Sequence, residues 1–195
     1  MEPSLFNKGD GQRQTPPEPP PLTDEQKRQI AAFREHVYGS LGRVVLAMAA
    51  TPRYRHHSLA DLQSLALEPL LAGRVAIAMA TEKDGEPTAA AAGVAIWASV
   101  SEEVDAKIRE QIKTGVFPLR LKAQEWASGD KHWLLDVIAP TQKLASLVVA
   151  NFRQVVKGGE LRIHPMAARM VDKDMLERMA AASASGGRGE GGRGA

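Results

Sequence analysis

Two separate segments of the chain carry side chains that are suited to proton transfer. The first, residues 51–58, reads Thr-Pro-Arg-Tyr-Arg-His-His-Ser and holds two of the five histidines beside two arginines. Histidine titrates near neutral pH, and adjacent cations lower its pKa, which favours the neutral form that accepts a proton. A polar surface loop, or a role for His57 as the cap residue before the next helix, explains the same pattern. The segment by itself favours that simpler interpretation.

The second segment is an apolar run, residues 133–138, that contains Asp136. Alternation along a strand predicts that four residues share one face: His132, Leu134, Asp136 and Ile138. Burying an ionised carboxylate among such neighbours is costly unless it is paired or hydrogen-bonded. We therefore expect either a structural acid that holds a loop or an arginine, or an acid that orients or charges a histidine.

A third segment, residues 126–130, reads Trp-Ala-Ser-Gly-Asp and directly precedes that strand. Gly129 can adopt a left-handed turn, and Ser128 and Asp130 can hydrogen-bond to backbone amides, so in isolation the pattern predicts a turn. His36 and His164 have no distinctive context, and the histidines lack the spacing of a helical zinc motif. The sequence also has no Walker-type phosphate loop and no Gly-x-Ser-x-Gly nucleophile elbow.

The elements that must position these side chains alternate between helical and strand patterns. We predict helices over residues 23–38, 41–50, 58–71, 101–113, 141–156 and 172–182. We predict strands over residues 74–80, 88–100, 132–138 and 160–164. This mixed order favours one α/β domain over a helical bundle.

Local sequence sets two details of these helices. A capping box at Thr23 opens the first helix, whose apolar positions Ile30, Phe33 and Val37 keep helical spacing. Gly39 and Gly42 are expected to weaken the join to the second helix, because glycine is a poor helix former. The inward-facing positions of the 58–71 helix are expected to be Leu59, Leu62, Leu65 and Leu70.

Composition excludes several classes of protein. The chain has 195 residues and no cysteine, so it has no disulfide framework, thiolate metal site or cysteine nucleophile. Its net charge is +2 and no stripe of Lys and Arg alternates with aromatic residues, so no nucleic-acid partner is expected. No apolar run is long enough for a membrane span, and residues 1–20 lack the core of a secretory signal, so we expect a cytoplasmic protein.

Composition also predicts the domain boundaries. Residues 1–22 end in a proline-rich stretch and are expected to form a disordered arm. Residues 183–195 are rich in glycine and lack large apolar side chains, so they are expected to form a disordered tail. One compact domain, residues 23–182, is left between them.

Taken in order along the chain, these segments resemble the RTX toxin-activating lysine acyltransferases. Residues 51–55, Thr-Pro-Arg-Tyr-Arg, stand in the place of a Ser-Pro-x-His-Arg element. The similarity continues through Asp-Gly-Glu-Pro at 84–87 and Trp-Ala-Ser-Val-Ser-Glu-Glu at 97–103. Its most specific part is the pair of blocks Trp-Ala-Ser-Gly-Asp at 126–130 and Trp-Leu-Leu-Asp-Val-Ile-Ala-Pro at 133–140. The resemblance spans roughly residues 36–165.

The resemblance implies a single-domain α/β enzyme with a fold like the GNAT acetyltransferases, in which helices flank a mixed, largely antiparallel sheet. It implies transfer of a fatty acyl group from acyl-carrier protein to an internal lysine of an RTX-type protoxin, which activates the toxin. The acyl-carrier thioester is then a substrate, and no permanently bound cofactor or metal is implied. The resemblance also suggests a homodimer.

The family's working pair is a histidine of Ser-Pro-x-His-Arg and an aspartate that carries over to Asp136. The histidine position is occupied by Tyr54, whose hydroxyl titrates near pH 10 and is a poor base, although it can donate to an oxyanion. If the segment is extended, residues 54 and 56 share a side, so we rank His56 first as the substitute base. Tyr54 ranks second, as acid or oxyanion donor, and His57 is expected to point elsewhere.

Two functional alternatives stay open because of this replacement. One is a catalytically weak or inactive relative that binds a protein or acyl-carrier partner, and the other is an N-acyltransferase for a small amine. Carrier proteins are acidic as a class, so four arginines are candidates for docking: Arg53, Arg55, Arg43 and Arg74. The Ala/Val/Ile-rich hairpin, residues 73–97, is a candidate acyl-chain slot, although an ordinary sheet core explains it equally well.

Overall fold

A computed structural model of the chain describes residues 21–81, 87–155, 161–174 and 177. Of the predicted arm, only residues 21 and 22 fall within these ranges, and they directly precede the first helix. The predicted tail, residues 183–195, and most of the predicted helix 172–182 lie outside the described residues, as does the turn at 82–86.

A four-stranded sheet forms the centre of the fold. Its strands are β1 (Val75–Thr81), β2 (Pro87–Val100), β3 (Lys131–Ile138) and β4 (Leu161–Ile163). They lie side by side in chain order. The β1–β2 and β2–β3 pairs are antiparallel, whereas β3–β4 is parallel. The predicted mixed, largely antiparallel sheet is thus confirmed.

Helices cover both faces of the sheet. They are α1 (Asp24–Ala49), α2 (Glu68–Leu71), α3 (Glu102–Lys113), α4 (Gln142–Val155) and α5 (Pro165–Ala168). Buried side chains of α1 and α3 pack on one face, here called the front face, with strand residues such as Ile96 and Ile138. Buried side chains of α4 and α5 pack on the opposite, back face, around Leu134 and Phe152. The α/β class is confirmed, and this layering is compatible with a GNAT-like fold.

Helix α1 is continuous, so the predicted break at the two glycines is wrong. Its capping box at Thr23 is confirmed. Residues on either side of the glycines, Val37 and Val44, are buried against the rest of the fold. This packing outweighs the low helix propensity of glycine, because most helical stability in proteins comes from tertiary contacts. The first part of α1 has little cover, since Phe33 is 55% exposed.

The predicted helix 58–71 starts later than its leucine spacing indicates. Ser58 N–H donates to Asp61 Oδ2 over 2.7 Å, which holds residues 58–61 in a turn. A π-helical turn, Gln63–Leu67, then leads into α2. Leu65 is buried as expected, but Leu59 is 87% exposed, so its inward assignment is wrong.

A β-bulge in β3 changes which side chains share a face with Asp136. Ile96 pairs with Asp136 and the next residue of β2, Trp97, pairs with Leu134, so Leu135 has no partner of its own. Leu134 consequently packs on the back face while Ile138 packs on the front face. The strict alternation predicted for residues 132–138 is therefore wrong, because one extra residue reverses the pattern.

Within the described ranges, no helix combines the length and the apolar character that crossing a membrane requires. Nor do three or more His, Asp or Glu side chains of those ranges cluster closely enough to hold a metal ion.

Candidate active site

Asp136, Tyr54 and Arg53 form one buried hydrogen-bonded unit on the front face. Asp136 is 4% exposed and Tyr54 is 5% exposed. The Tyr54 hydroxyl donates to Asp136 Oδ2, and Arg53 Nη2 donates to Asp136 Oδ1. The backbone N–H of Val137 also donates to Oδ1 over 2.8 Å. Both oxygens of the acid thus have partners, an arginine and a tyrosine and not a histidine, and Oδ2, with one donor, can accept a second hydrogen bond.

Arg53 joins the parts of this unit. Its Nη2 also donates to the backbone oxygen of Val137 over 2.7 Å, and its guanidinium carbon lies 4.6 Å from the centre of the Tyr54 ring. The Arg53 side chain is only 20% exposed. Its charge compensates the buried carboxylate of Asp136. Charge-assisted hydrogen bonds of this type are stronger than neutral ones and also hold the two side chains in a defined orientation.

A short 3₁₀ turn, Pro52–Tyr54, positions both side chains directly after α1. Thr51 Oγ1 donates to Ala47 O over 2.8 Å, and Tyr54 N–H donates to Thr51 O over 3.1 Å. Pro52 suits the first position of such a turn, because its φ is preset and it has no N–H to satisfy. The turn places Tyr54 against β3 in the region where the bulge presents Asp136.

The environment of Tyr54 keeps its hydroxyl protonated. Burial raises the pKa of Tyr54 far above its ordinary value, and the charge of Asp136 raises it further, while the Arg53 cation opposes the change. Tyr54 thus cannot serve as the base for an amine near neutral pH. Its proton is donated in a hydrogen bond to Asp136, and its oxygen accepts a hydrogen bond from Arg53 Nη2.

The segment 53–58 is not extended, and this changes the arrangement of its histidines. His57 lies one helical turn after Tyr54, and the two ring centres are 5.7 Å apart. The ring of Phe117 lies 5.9 Å from His57 on another side. The expectation that His57 points away is wrong, because a 3₁₀ turn brings residues i and i+3 together. His56 is exposed, so the geometric reason for ranking it first does not hold.

The carboxylate of Asp61 lies close to the His57 ring. The distance from His57 Nδ1 to Asp61 Oδ2 is 3.6 Å, and the His57 side chain is 23% exposed. Hydrogen bonds from the backbone and hydroxyl of Ser58 hold the pKa of Asp61 below its ordinary value, so the carboxylate is charged at neutral pH. Asp61 thus places a negative charge on the Nδ1 side of the ring, slightly beyond hydrogen-bond distance.

A small cleft of about 30 Å³ opens beside Asp136. Its apolar lining includes Ile96, Phe117 and Trp126. That volume matches one water molecule or one carbonyl oxygen. The cleft therefore admits a reacting group to Asp136 but not a long chain.

A larger groove of about 410 Å³ lies between α1, α2 and β1. Val75, Ile77 and Met79 of the predicted slot region 73–97 line it, together with Phe33 and other residues of the helices. Arg43 and His36 also line the groove. Its volume falls within the usual range of ligand pockets.

The Trp-Ala-Ser-Gly-Asp segment fastens the chain to the end of β2. Ser128 Oγ accepts from Ser101 N–H over 2.9 Å, and Ser99 N–H donates to Trp126 O over 3.0 Å. Gly129 does not have a positive φ, contrary to the expected left-handed turn. A Cβ at this position would come within 2.6 Å of Val100 O, so glycine is needed for close approach to β2.

The four candidate docking arginines have different environments. Arg53 is bound to Asp136, and Arg74 stacks 4.2 Å above the Trp97 ring and donates to Trp126 O over 3.1 Å. Arg43 lines the larger groove and Arg55 is exposed. Only these last two keep their charge available to a partner, so they remain the docking candidates.

One histidine of the site was missed by sequence reasoning. His164, directly after β4, is 4% exposed, and its ring centre lies 6.4 Å from that of Phe117. The parallel pairing of β3 with β4 brings it beside the site from far along the chain. No local pattern around residue 164 indicates this, because the pairing is a tertiary contact.

Comparisons with known proteins agree with the motifs. A sequence model of the RTX toxin acyltransferase family matches residues 34–177, well over half of the chain. The leukotoxin-activating lysine-acyltransferase LtxC of Aggregatibacter actinomycetemcomitans is 32% identical to the chain over 100 residues. This match covers 51% of the chain and 52% of that relative, so the chain spans about half the length of the curated relative. On the family match, which includes Tyr54, Asp136 and His164, the chain belongs to the RTX toxin acyltransferase family.

Proposed function

We propose that the protein is a lysine acyltransferase that moves a fatty acyl chain from acyl-carrier protein to an internal lysine of an RTX-type protoxin. The family membership and the activity named for the leukotoxin-activating relative support a transferase. The observation that carries the proposal is the buried unit of Asp136, Tyr54 and Arg53 beside a cleft of atomic size.

The reaction needs three things from the protein. The lysine nitrogen attacks the thioester carbonyl carbon, the carbon–sulfur bond breaks, and the carrier thiol leaves with the proton that the amine loses. A base must take that proton, a donor must stabilise the oxyanion, and an apolar surface must hold the chain.

Asp136 orients the incoming amine in this proposal. Tyr54 and Arg53 hold its carboxylate in one position, and Asp136 lines the cleft. An amine N–H that donates to this carboxylate directs its lone pair toward a carbonyl carbon in the cleft. Rigid support of this kind is what a catalytic carboxylate requires.

His57, rather than His56, is the base that the geometry favours. Its ring contacts Tyr54 and Phe117, and Asp61 lies on its Nδ1 side, so Nε2 is the nitrogen that can accept a proton. A charged carboxylate behind an imidazole stabilises the imidazolium that forms. His56 has an exposed side chain.

We assign the acyl chain to the groove between α1 and β1. Its strand side is formed by the apolar side chains of Val75, Ile77 and Met79. Arg43, in the same groove, provides a cation for an acidic carrier. Arg55, exposed near Tyr54, provides a second.

The proposal is tested by incubating the protein with acyl-carrier thioester and an RTX protoxin, and by measuring lysine mass shifts. The expected result is the addition of one acyl chain to a lysine. His57→Ala should lower the rate about 100-fold or more, the usual effect of removing a general base. His56→Ala is the matched control, one residue away and exposed, and should stay within about twofold.

Other outcomes of this experiment separate the alternatives. If His56→Ala loses transfer while His57→Ala keeps it, and both variants unfold at the wild-type temperature, His56 is the base. If no acyl group is transferred to any lysine although carrier protein binds, the chain is a binding module. If a small amine is acylated in place of a lysine side chain, the substrate class is wrong.

A further inference from the structure

His164 lies at a fixed position beside the site. Its backbone N–H donates to Leu134 O over 2.9 Å, which extends the parallel pairing of β3 and β4 by one residue. It is also the N-cap residue of α5. The backbone of His164 is thus fixed on one side by β3 and on the other by α5.

The strand register places the His164 side chain on the front face. Trp133 pairs with Arg162 and Leu134 pairs with Ile163, so the next pair would be Leu135 and His164. Leu134 and Ile163 both pack on the back face, whereas Leu135 packs on the front face. Neighbouring residues of paired strands point to the same face, so His164 points toward the side that holds Tyr54 and Asp136.

The hydrogen bond at Nδ1 determines where the imidazole carries its proton. Met166 N–H donates to His164 Nδ1 over 3.1 Å. A neutral imidazole has one donor and one acceptor nitrogen, so with Nδ1 accepting, the proton is on Nε2. Burial lowers the pKa of His164, the Asp136 charge opposes this, and Arg53 adds to it. The ring is therefore neutral near pH 7, with an N–H at Nε2.

That N–H has no hydrogen-bond acceptor among the described residues, although His164 is 4% exposed. A buried donor without an acceptor costs roughly 1–3 kcal/mol, and such groups are rare in folded proteins. The ring lies beside Phe117, which lines the cleft at Asp136. An acceptor supplied by a substrate would explain why the fold retains this group.

We propose that His164 is a catalytic hydrogen-bond donor whose Nε2–H binds the carbonyl oxygen of the acyl thioester and the oxyanion that forms from it. This inference rests on the acyl transfer proposed above. No bond to His164 is made or broken, since the proton stays on Nε2 throughout. A preorganised donor of this kind stabilises charge that develops only in the transition state.

The same geometry argues against His164 as the base. To accept a proton at Nε2, the neutral ring would have to carry its hydrogen on Nδ1. That hydrogen would face the N–H of Met166, which already points at Nδ1 over 3.1 Å. His164 therefore donates a hydrogen bond and keeps its proton, whereas His57 accepts a proton.

The test compares His164→Gln with His164→Leu in the acyl-transfer assay. Glutamine keeps an N–H donor on a side chain of similar reach, whereas leucine has none. We expect kcat to fall about 100-fold or more in the leucine variant and less than about tenfold in the glutamine variant, with little change in KM for the protoxin. Leucine removes the unsatisfied donor at Nε2 but also the acceptor of the Met166 N–H at the start of α5, so these two effects on stability oppose each other and kcat is compared per folded molecule.

Equal rates for wild type and His164→Leu would overturn the proposal. So would a loss of rate in the leucine variant that only follows a loss of folded protein in thermal unfolding. The acid limb of the pH–rate profile should be unchanged in His164→Gln, since the base is elsewhere. Loss of that limb would make His164 the base instead.

A second measurement does not depend on turnover. Carrier protein that holds its acyl chain through an amide in place of the thioester is added to ¹⁵N-labelled protein, and the Nε2–H resonance of His164 is followed by NMR. We expect this resonance to move on binding and the affinity to fall in His164→Leu. If wild type transfers no acyl group, the proposed function fails, and the inference about His164 is still decided here. It is overturned if the analogue does not bind or binds without moving the resonance.

Discussion

Asp105 and Asp136 are two buried aspartates of the same domain with similar partners and different surroundings. Asp105 is 0% exposed and accepts from Trp133 Nε1 over 2.8 Å. It also binds Arg162, and Arg109 Nη2 lies 3.0 Å from its Oδ2. Like Asp136, it combines an arginine with an aromatic donor. The residue types alone do not separate a structural acid from a catalytic one.

The difference lies in what else each carboxylate can reach. Asp136 lines a cleft. His57, with Asp61 on its Nδ1 side, lies beside Tyr54. His164, whose Nε2 has no acceptor among the described residues, lies beside Phe117 of the cleft lining. Asp105 is a buried residue of α3 and links that helix to Trp133 of β3 and Arg162 of β4. Access for a reacting group, together with neighbouring groups that can exchange or donate protons, marks the candidate site.

The largest effect is expected for Asp136→Asn. The amide still accepts a hydrogen bond from Tyr54, but it removes the charge that Arg53 compensates and weakens the orientation of the amine. Acyl transfer should fall about 1,000-fold, which corresponds to roughly 4 kcal/mol of transition-state stabilisation. Mass spectrometry of the toxin lysine measures the rate. A variant within tenfold of wild type would remove Asp136 from the reaction.

Asp105→Asn should show the opposite pattern. It removes the buried charge to which Arg109 and Arg162 are bound, so the free energy of unfolding should fall by about 3 kcal/mol, as measured by urea titration. The transfer rate per folded molecule should stay within a few-fold of wild type. A folded Asp105→Asn protein with no transfer activity would end the distinction between the two acids.

The pH dependence of Asp105→Asn gives a check on the same prediction. Burial favours the protonated acid, but hydrogen bonds from Trp133 and Arg162 and the charge of Arg162 outweigh it, so the pKa of Asp105 lies below its ordinary value of 3.8. A lowered pKa in the folded state contributes stability above the unfolded pKa, and this contribution is lost as the pH falls through the folded value. The stability difference between wild type and the asparagine variant should therefore be constant from pH 7 to about 5 and shrink below about pH 4.

The smallest effects come from removing one aromatic donor from each acid. Tyr54→Phe keeps the ring but removes the hydroxyl from Asp136, and transfer should fall about 30-fold, or roughly 2 kcal/mol. Trp133→Phe removes the indole N–H from Asp105 and should lower the free energy of unfolding by about 2 kcal/mol with transfer nearly unchanged. Assay and urea titration of both variants complete the comparison. If Tyr54→Phe is fully active, the hydroxyl is structural only.

Particular residues show how far the sequence predicts the site. Asp136 could be predicted as a site residue because a lone acid in an apolar strand needs a partner. Tyr54 could be predicted because the segment 51–55 stands in the place of the Ser-Pro-x-His-Arg element. The sequence allows an arginine as the partner of Asp136 but does not indicate which one, and Arg53 is also a docking candidate by its charge. The extended backbone on which the ranking of His56 depends is wrong, because the local backbone is a 3₁₀ turn, and the choice of base between His56 and His57 stays a prediction.

The sequence by itself determined the family, the α/β class and the hairpin of the first two strands, because these depend on periodicity and on motifs that are local in the chain. Only the tertiary structure decided the face of Asp136, its partner Arg53 and the position of His164. The face of Asp136 depends on a bulge in β3, and its pairing with Arg53 depends on a turn that packs against β3. The position of His164 depends on the parallel pairing of β3 with β4. Each is a contact between segments far apart in sequence, whose geometry is set by packing and not by local propensity.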